Sequence, residues 1–432
     1  MTLLFWLSVG AVAYVYAGYP LLLRVWARLR PKPLRIADCG LRIDRGLQHG
    51  GRDGANPQSN PQINPQSAIR DPHDELSIVI AARNEAARLP ARLDNLLSLD
   101  YPADRRQIIV VSDGSTDATL DVLARYQPLV DVVALPPGGK AVALNAGVAR
   151  ATGDIVVFAD ARQLFAPDAL RELAAPFGDR SVGAVTGELL LDAESPCRRT
   201  GSDRRTVVRR AGVRTDRSDR RADDRRHTLR STIADGVGLY WKYEKQLRKL
   251  ESTVASTLGA TGAIYSVRRS LYEPLPADTI LDDVLTPMRV VLGGSRVVFN
   301  ERARAYDRAA ADADTEARRK IRTLAGNYQI LSLEPRLLLP WKNPVWFQYL
   351  SHKLGRLAVP YAMMAIFFSS IVLAAVAGPI SFYGAALTGQ VMFYLLAGVG
   401  AVLELVARRR DDRVSESTAV AVRAPHAARE SA

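Results

Sequence analysis

Several places in this chain put charged residues straight after an apolar run or at the start of a helical one. Leu76 to Ala82 stops at Arg83-Asn84-Glu85, and Gln107 to Val111 stops at Ser112-Asp113-Gly114-Ser115-Thr116-Asp117. Asp154 to Phe158 ends in Ala159-Asp160-Ala161-Arg162. Gly138-Gly139-Lys140 opens a helix-like segment that runs to Arg150, and Asp282-Asp283 opens another. A carboxylate at a strand end can accept from ribose hydroxyls or a ring N–H. An ammonium beside backbone N–H groups at a helix start suits a diphosphate. A carboxylate pair can supply a general base. Each has a plainer reading as well. Asp-Gly-Ser-Thr-Asp makes a good helix start, and Asp117 reads as the cap there. Lys140 can be an ordinary exposed lysine. Two acids at a helix N-terminus are what the dipole favours.

The elements that must position these residues read as alternating strand and helix. Between the first two apolar runs, Ala86 to Leu99 carries Leu89, Leu93, Leu96 and Leu97 at helical spacing. Short β-rich runs alternating with amphipathic helices predict an α/β fold, a parallel sheet covered on both faces. Ligands bind such sheets outside the carboxyl ends of the strands, where the charged residues fall. Further along, Pro167 to Phe177 reads as a short helix and Val182 to Leu191 as a strand. Gly236 to Leu250 is amphipathic, and Gly259 to Tyr265 is a glycine-punctuated turn entering a strand. Ser295 to Phe299 is a late strand, and Glu316 to Gln329 a basic helix.

The chain of 432 residues has a formal charge of +13, unevenly placed. Residues 193–230 hold thirteen arginines against six acids, so the basic balance does not argue for a nucleic-acid partner. A basic surface under an anionic leaflet accounts for it as well. Cys39 and Cys197 are the only cysteines, which excludes a disulfide scaffold and a cysteine-based zinc site. Leu3 to Leu23 is almost wholly apolar, long enough at about 1.5 Å per residue to cross a core of about 30 Å. A cleaved signal peptide is the alternative, but the start lacks a basic n-region. Arg24, Arg28, Arg30, Lys32 and Arg35 follow the span and place the next segment in the cytoplasm. The organisation expected is an anchor at 1–24, a disordered linker at 38–75, a catalytic domain at 76–336 with a solvated Arg/Asp insertion at 193–230, an interfacial helix at 337–356, two spanning helices within 357–407, and a disordered cytoplasmic tail at 408–432. Arg408-Arg409-Arg410 then fall on the same side as the first basic cluster.

The ordered motifs Ser77-Ile78-Val79-Ile80-Ala81-Ala82-Arg83-Asn84-Glu85, Val111-Ser112-Asp113-Gly114-Ser115-Thr116-Asp117, Gly139-Lys140, Ala159-Asp160-Ala161, Gly259-Ala260-Thr261-Gly262 and Asp282-Asp283 resemble the membrane-bound family 2 inverting glycosyltransferases, the cellulose, hyaluronan and poly-N-acetylglucosamine synthase group. The resemblance covers Leu76 to about Arg336 and the flanking spans. It implies a GT-A (Rossmann-like) domain with flanking transmembrane helices, acting at the cytoplasmic face of the inner membrane. It implies a nucleotide-diphosphate sugar donor, by family habit UDP-linked, and a saccharide or lipid acceptor attacking with inversion. It carries Ala82, Arg83, Glu85, Asp113, Lys140, Asp160 and Arg322 to the nucleotide-sugar, Asp283 to the catalytic base, and Gly262 and Asp282 to the acceptor or its neighbourhood. Asp160 matches the first acid of the family's metal-binding Asp-x-Asp, implying Mg2+ or Mn2+.

Two departures stand out. The second metal position is Arg162, which offers no lone pair. Asp160 alone can suffice for magnesium, Arg162 can neutralise the diphosphate itself, or it can point away. The late Gln-x-x-Arg-Trp element is reduced to Arg319-Lys320-Ile321-Arg322-Thr323, and loss of the tryptophan argues against processive synthesis. The alternatives carried forward are transfer to a polyprenyl phosphate, a nucleotidyltransferase, and a non-catalytic membrane scaffold with a degenerate metal site.

Overall fold

The computed structural model describes residues 1–34, 75–191, 241–307 and 313–403. The expected linker (Glu75 aside), Arg/Asp insertion and tail lie outside these residues, as do both cysteines. The chain divides into two compact units: Pro20–Leu354, and Met1–Tyr19 with Gly355–Ala432.

In the larger unit the apolar runs become strands of one eight-stranded sheet. These are β1 (Leu76–Ala82), β2 (Arg106–Asp113), β3 (Asp131–Leu135), β4 (Ile155–Ala159), β5 (Leu164–Phe165), β6 (Val182–Leu191), β7 (Ile264–Arg268) and β8 (Arg296–Asp307). Their spatial order is β3-β2-β1-β4-β7-β6-β8-β5. Alternate residues of β1 point to opposite faces, as a period of two requires. Ile78 and Ile80 pack with Leu89, Leu93 and Leu96 of the helix Leu89–Leu97. Val79 packs on the other face, with Ala143 and Leu144 of the helix Lys140–Arg150. That helix approaches so closely at Gly147 that a Cβ there would lie 2.4 Å from Val79 Cγ1.

The sheet is mixed, not parallel throughout as the alternation predicted. β1, β2, β3 and β4 run parallel, joined by helical crossovers. β7 enters antiparallel to both β4 and β6, and β5 is antiparallel to β8. Hydrophobic runs fix that a strand exists but not its direction. Because β7 is reversed, its first residue Ile264 pairs with Ala159, the last residue of β4. The Gly259–Gly262 turn feeding β7 is thereby delivered to the same edge as the carboxyl ends of β1, β2 and β4.

The basic helix runs over Ala313–Leu333. It packs through Gly326, where a Cβ would lie 2.5 Å from Leu281 Cγ, against the turn that leads into Asp282. After it, Pro335–Leu338 forms a single tight turn, followed by further turns. Of the stretch 337–356, expected as an interfacial helix, residues 337–345 hold turns. A helix instead begins at Trp346 and continues unbroken to Ala377. Asn343 accounts for the start: its amide donates to Leu337 O at 2.9 Å, and its Oδ1 accepts from Val345 N at 3.0 Å, fixing the turn before the helix.

Among the described residues, three helices are long and apolar enough to cross a membrane: Thr2–Leu29, Trp346–Ala377 and Phe382–Leu403. The smaller unit is built from parts of them. Phe5 lies edge-on to Trp6, Phe382 and Tyr383 at centroid distances of 5.3, 6.1 and 5.2 Å. Gln390, a polar residue within the last span, donates to Ser370 Oγ at 3.3 Å.

Candidate active site

Parallel strands bring their carboxyl ends to one edge, and the site grows from what each strand ends on. At β1 the chain turns through Asn84, whose φ of 55° is tolerated because asparagine enters the left-handed region more readily than most residues. Asn84 Oδ1 accepts from Thr116 N at 2.8 Å, its own N–H donates to Ser115 Oγ at 3.2 Å, and Glu85 N–H donates to Thr119 Oγ1 at 3.0 Å. These bonds clip the end of β1 to the loop after β2. Asp117 accepts from Ala86 N and Thr119 N, at 3.2 and 3.0 Å. The helix that follows, Thr119–Ala124, has Ala118 at its N-cap, so Asp117, read from the sequence as the cap, stands one residue before it.

Asp113 closes β2 and is buried. Its Oδ1 accepts from Gly138 N at 2.6 Å and Gly139 N at 3.1 Å, and its Oδ2 also takes Gly139 N at 3.1 Å. Gly139 has a φ of +89°, which makes glycine the residue of choice there. The glycine N–H groups expected to cradle a diphosphate are thus spent on Asp113, which holds the turn opening the Lys140 helix. The cation remaining for an anion is the Lys140 ammonium. Arg83 Nη1 stands 3.9 Å from Asp113 Oδ2 on an exposed side chain. Glu85 accepts from Arg88 at 2.7 Å, and Ala82 is buried as the last residue of β1.

Lys140 Nζ lies 3.2 Å from Asp160 Oδ1 and 3.1 Å from Asp282 Oδ1. One ammonium therefore joins the end of β4 to the start of the helix Asp282–Leu292. Burial pushes Lys140 down, but Asp282, Asp160 and Asp283 outweigh it and hold the group charged, well above an ordinary lysine. Asp282 is buried and also accepts from Tyr265 Oη at 3.3 Å. Tyr265 is fully buried and stacked on Phe158 with centroids 4.8 Å apart.

Asp283 sits beside Gly262. A Cβ at Gly262 would lie 2.9 Å from Asp283 Oδ2, so only a bare backbone leaves the carboxylate its place. The Asp283 carbonyl accepts from Ala260 N at 2.7 Å, locking the Gly259–Gly262 turn to the helix start. Burial and then the neighbouring Asp282 push the Asp283 carboxyl up to about 6, against the pull of Lys140 and Lys353. Neighbours on a helix do not face each other, yet here Asp282 still acts on Asp283 through space.

Arg162 does not reach this centre. Its Nη2 is 2.6 Å from Oδ2 of buried Asp307 at the end of β8, where Gln163 Nε2 also donates at 3.0 Å. Of the three readings open for Arg162, the structure takes the one that points away. Asp160 is then the single acid of that motif facing Lys140. Among the described residues no group of three His, Cys, Asp or Glu side chains gathers for a metal. The donor set fits a hard cation that takes one carboxylate and completes its shell from phosphate oxygens and water. Arg322 is exposed at the rim, its Nη2 only 3.5 Å from Ile280 O. Sequence reasoning missed Tyr265, Asn84 and Asp307 as parts of the site's frame. Only Asn84, beside the charged residues closing β1, had a local signal.

A half-parallel sheet with its acids along one edge and a reversed strand completing it is the GT-A arrangement. The solved structure of a mannosyltransferase from Pyrobaculum calidifontis, in complex with GDP-Man and Mn2+, shares this fold. Its TM-score is 0.59 at 22% identity, covering 91% of this chain and 92% of that one. Residues 77–249 match the Glycosyl transferase family 2 model, and the chain carries a domain of that family. A β-monoglucosyldiacylglycerol synthase of Synechocystis sp. is 38% identical over 120 residues, 26% of this chain and 25% of that protein. An N-acetylglucosaminyltransferase of Mesorhizobium japonicum is 38% identical over 125 residues, 28% and 29% of the respective chains. The matched segment therefore spans only about a quarter of the length of these relatives.

Proposed function

We propose that this protein is a membrane-embedded glycosyltransferase that moves a sugar, with inversion, from a nucleoside-diphosphate sugar to an acceptor hydroxyl in glycolipid or polysaccharide synthesis. The observation that carries the reading is the juxtaposition of Lys140 with Asp160 and Asp282, next to an Asp283 held near neutrality beside a bare glycine. Inverting displacement at an anomeric carbon asks for these parts. The acceptor oxygen forms its bond to that carbon as the bond to the diphosphate breaks. The hydroxyl proton passes to Asp283, and the electron pair leaves with the nucleoside diphosphate. Lys140 supplies positive charge where the leaving group gathers negative charge. Arg83 and Glu85 flank the nucleotide end, Asp113 builds the turn behind it, and Arg322 guards the rim.

Asp160 would hold a divalent cation, Mg2+ or Mn2+, whose chemistry is further neutralisation of the diphosphate. The likeness to a β-monoglucosyldiacylglycerol synthase supports a lipid acceptor, the likeness to an N-acetylglucosaminyltransferase supports a hexose or aminosugar donor, and UDP is the donor nucleotide we expect. The three apolar helices and the basic residues after Leu23 support a multi-pass inner-membrane protein with its catalytic domain in the cytoplasm.

The test is donor hydrolysis by the detergent-purified protein across a panel of nucleotide sugars, with Mg2+, Mn2+ or chelator, beside Asp283→Asn and Asp160→Asn. Turnover of one donor, lost in both variants, is the expected result. Turnover of none, with or without candidate acceptors, sinks the reading.

A further inference from the structure

The helix Ala313–Leu333 has one face that the protein packs and one that it leaves bare. Gly326, Ile330 and Leu333, spaced by four and three, mark the packed face. Gly326 meets Leu281, and Ile330 and Leu333 join the core that holds Leu285. Gln329 beside them accepts from Ile280 N at 2.9 Å and donates to Asp278 O at 2.8 Å. Ile321, Leu324 and Tyr328, spaced by three and four, form the other face, and they are 68%, 48% and 42% exposed. At 3.6 residues per turn the two faces are centred about half a turn apart.

Charge is arranged about the bare face. Over residues 318–333 the helix carries four cations and no acid. Arg318 and Lys320 are exposed and fall on either flank of the stripe, about a quarter turn from its centre. An apolar stripe flanked by cations on long apolar stems is the pattern of a helix lying in a headgroup layer, with the stems along the apolar face and the charges at the phosphates. The basic flanks also choose between occupants. A second copy of this chain would bring like charges into the contact, whereas an anionic leaflet neutralises them.

A leaflet is also within reach. Residues 334–345 separate this helix from the apolar helix Trp346–Ala377, and even fully extended they span no more than about 45 Å. Pro335–Leu338 shortens that by coiling into a tight turn, and Trp341 stands exposed beyond it. Just past the first candidate span, Lys32 N donates to Thr253 O at 2.8 Å and Arg296 Nη2 to Lys32 O at 3.0 Å, so the domain is held there as well. We propose that the helix Ala313–Leu333 docks on an anionic leaflet, with Ile321, Leu324 and Tyr328 at the acyl boundary and Arg318 and Lys320 on phospholipid headgroups. The inference goes beyond the proposed reaction and does not rest on it. Because the packed face holds residues 278–281, docking sets the run into Asp282 about 10 Å, one helix diameter, above the headgroups.

The experiment uses the full chain in nanodiscs, with Cys39 and Cys197 changed to serine and a single fluorophore on Leu324→Cys. A label on Thr323→Cys, exposed but off the stripe, is the control. The discs are phosphatidylcholine with or without phosphatidylglycerol, and some lipids carry a nitroxide quencher on the acyl chain. Quenching at Leu324 should exceed that at Thr323 and rise with phosphatidylglycerol. Arg318→Gln and Lys320→Gln should each lower the ratio of docked to undocked helix by about 5-fold, the worth of one cation at an anionic leaflet. Added salt should act the same way. Ile321→Ser should reduce quenching and leave the melting temperature in detergent unchanged, since Ile321 is mostly exposed. A lowered melting temperature would show that the stripe packs within the protein, and would count against docking. Equal quenching of both labels, or quenching indifferent to phosphatidylglycerol and to both charge variants, overturns the proposal. So does a disulfide joining two chains through Leu324→Cys without quenching, which would name a second copy as the occupant.

Discussion

A base must be ionised to take a proton, and for Asp283, the base we propose, that requirement is measurable. Its carboxyl is raised to about 6 by burial and by Asp282, so the charged form is lost as pH falls through that value. The kcat profile should therefore drop on the acid side of about pH 6 and level off above it. Asp283→Asn should cost about 100- to 10,000-fold in kcat, the usual worth of a positioned base. Asp282→Asn removes the nearby like charge, so the acid limb should move to lower pH. An unmoved limb would show that burial alone sets the titration. At this scale the candidate site was legible by residue type and position: Asp113 and Asp160 close apolar runs, and Lys140 and Asp283 stand at helix starts. What spacing could not give was their partners. Arg162 meets Asp307 across 145 residues, and Asp113 turned out to spend itself on the glycine N–H groups. Neither contact leaves a local trace in the chain.

Elements place these residues only because a few positions carry no side chain. A methyl at Gly262 would sit 2.9 Å from Asp283 Oδ2, so Gly262→Ala should lower kcat with little change in nucleotide binding, measured by titration with the nucleoside diphosphate. Gly147→Ala acts elsewhere. Its methyl would meet Val79 Cγ1 at 2.4 Å in a packed core, and overpacking of this kind costs about 1–3 kcal/mol. A lowered melting temperature with unchanged donor KM is expected, which separates support of the sheet from support of the chemistry. The strands and helices around both glycines were readable from apolar periodicity. Strand direction was not, since alternation reads the same both ways, and β7 reversed where a parallel sheet was expected. The helix start at Trp346 was hidden for a different reason. Aromatic and basic residues at 341–356 were read for membrane-interface chemistry, whereas the helix boundary is set by Asn343 bonding its own turn.

For the whole molecule the deciding quantity is how much apolar surface has no protein to cover it. The window of greatest hydropathy in Phe382–Leu403 has no buried residue, and that in Trp346–Ala377 is 17% buried. Bare apolar helices of this length are stable in lipid and not in water. The chain should therefore stay with membranes through high-salt and alkaline washes and leave them only in detergent; release by salt alone would mean surface attachment. Orientation follows from charge. Arg24, Arg28 and Arg30 gather at the end of the first candidate span, Thr2–Leu29, and Arg408-Arg409-Arg410 follow the last, so three crossings would put both clusters on one side. That side should be the cytoplasm, with the catalytic domain on it. Cysteine substitutions at Leu3 and Leu120 check this in intact cells. An impermeant thiol reagent should reach the first and spare the second until the membrane is opened. The reverse pattern would place the nucleotide-sugar site away from the compartment where such donors are made, and the proposed activity would fail on supply rather than on chemistry.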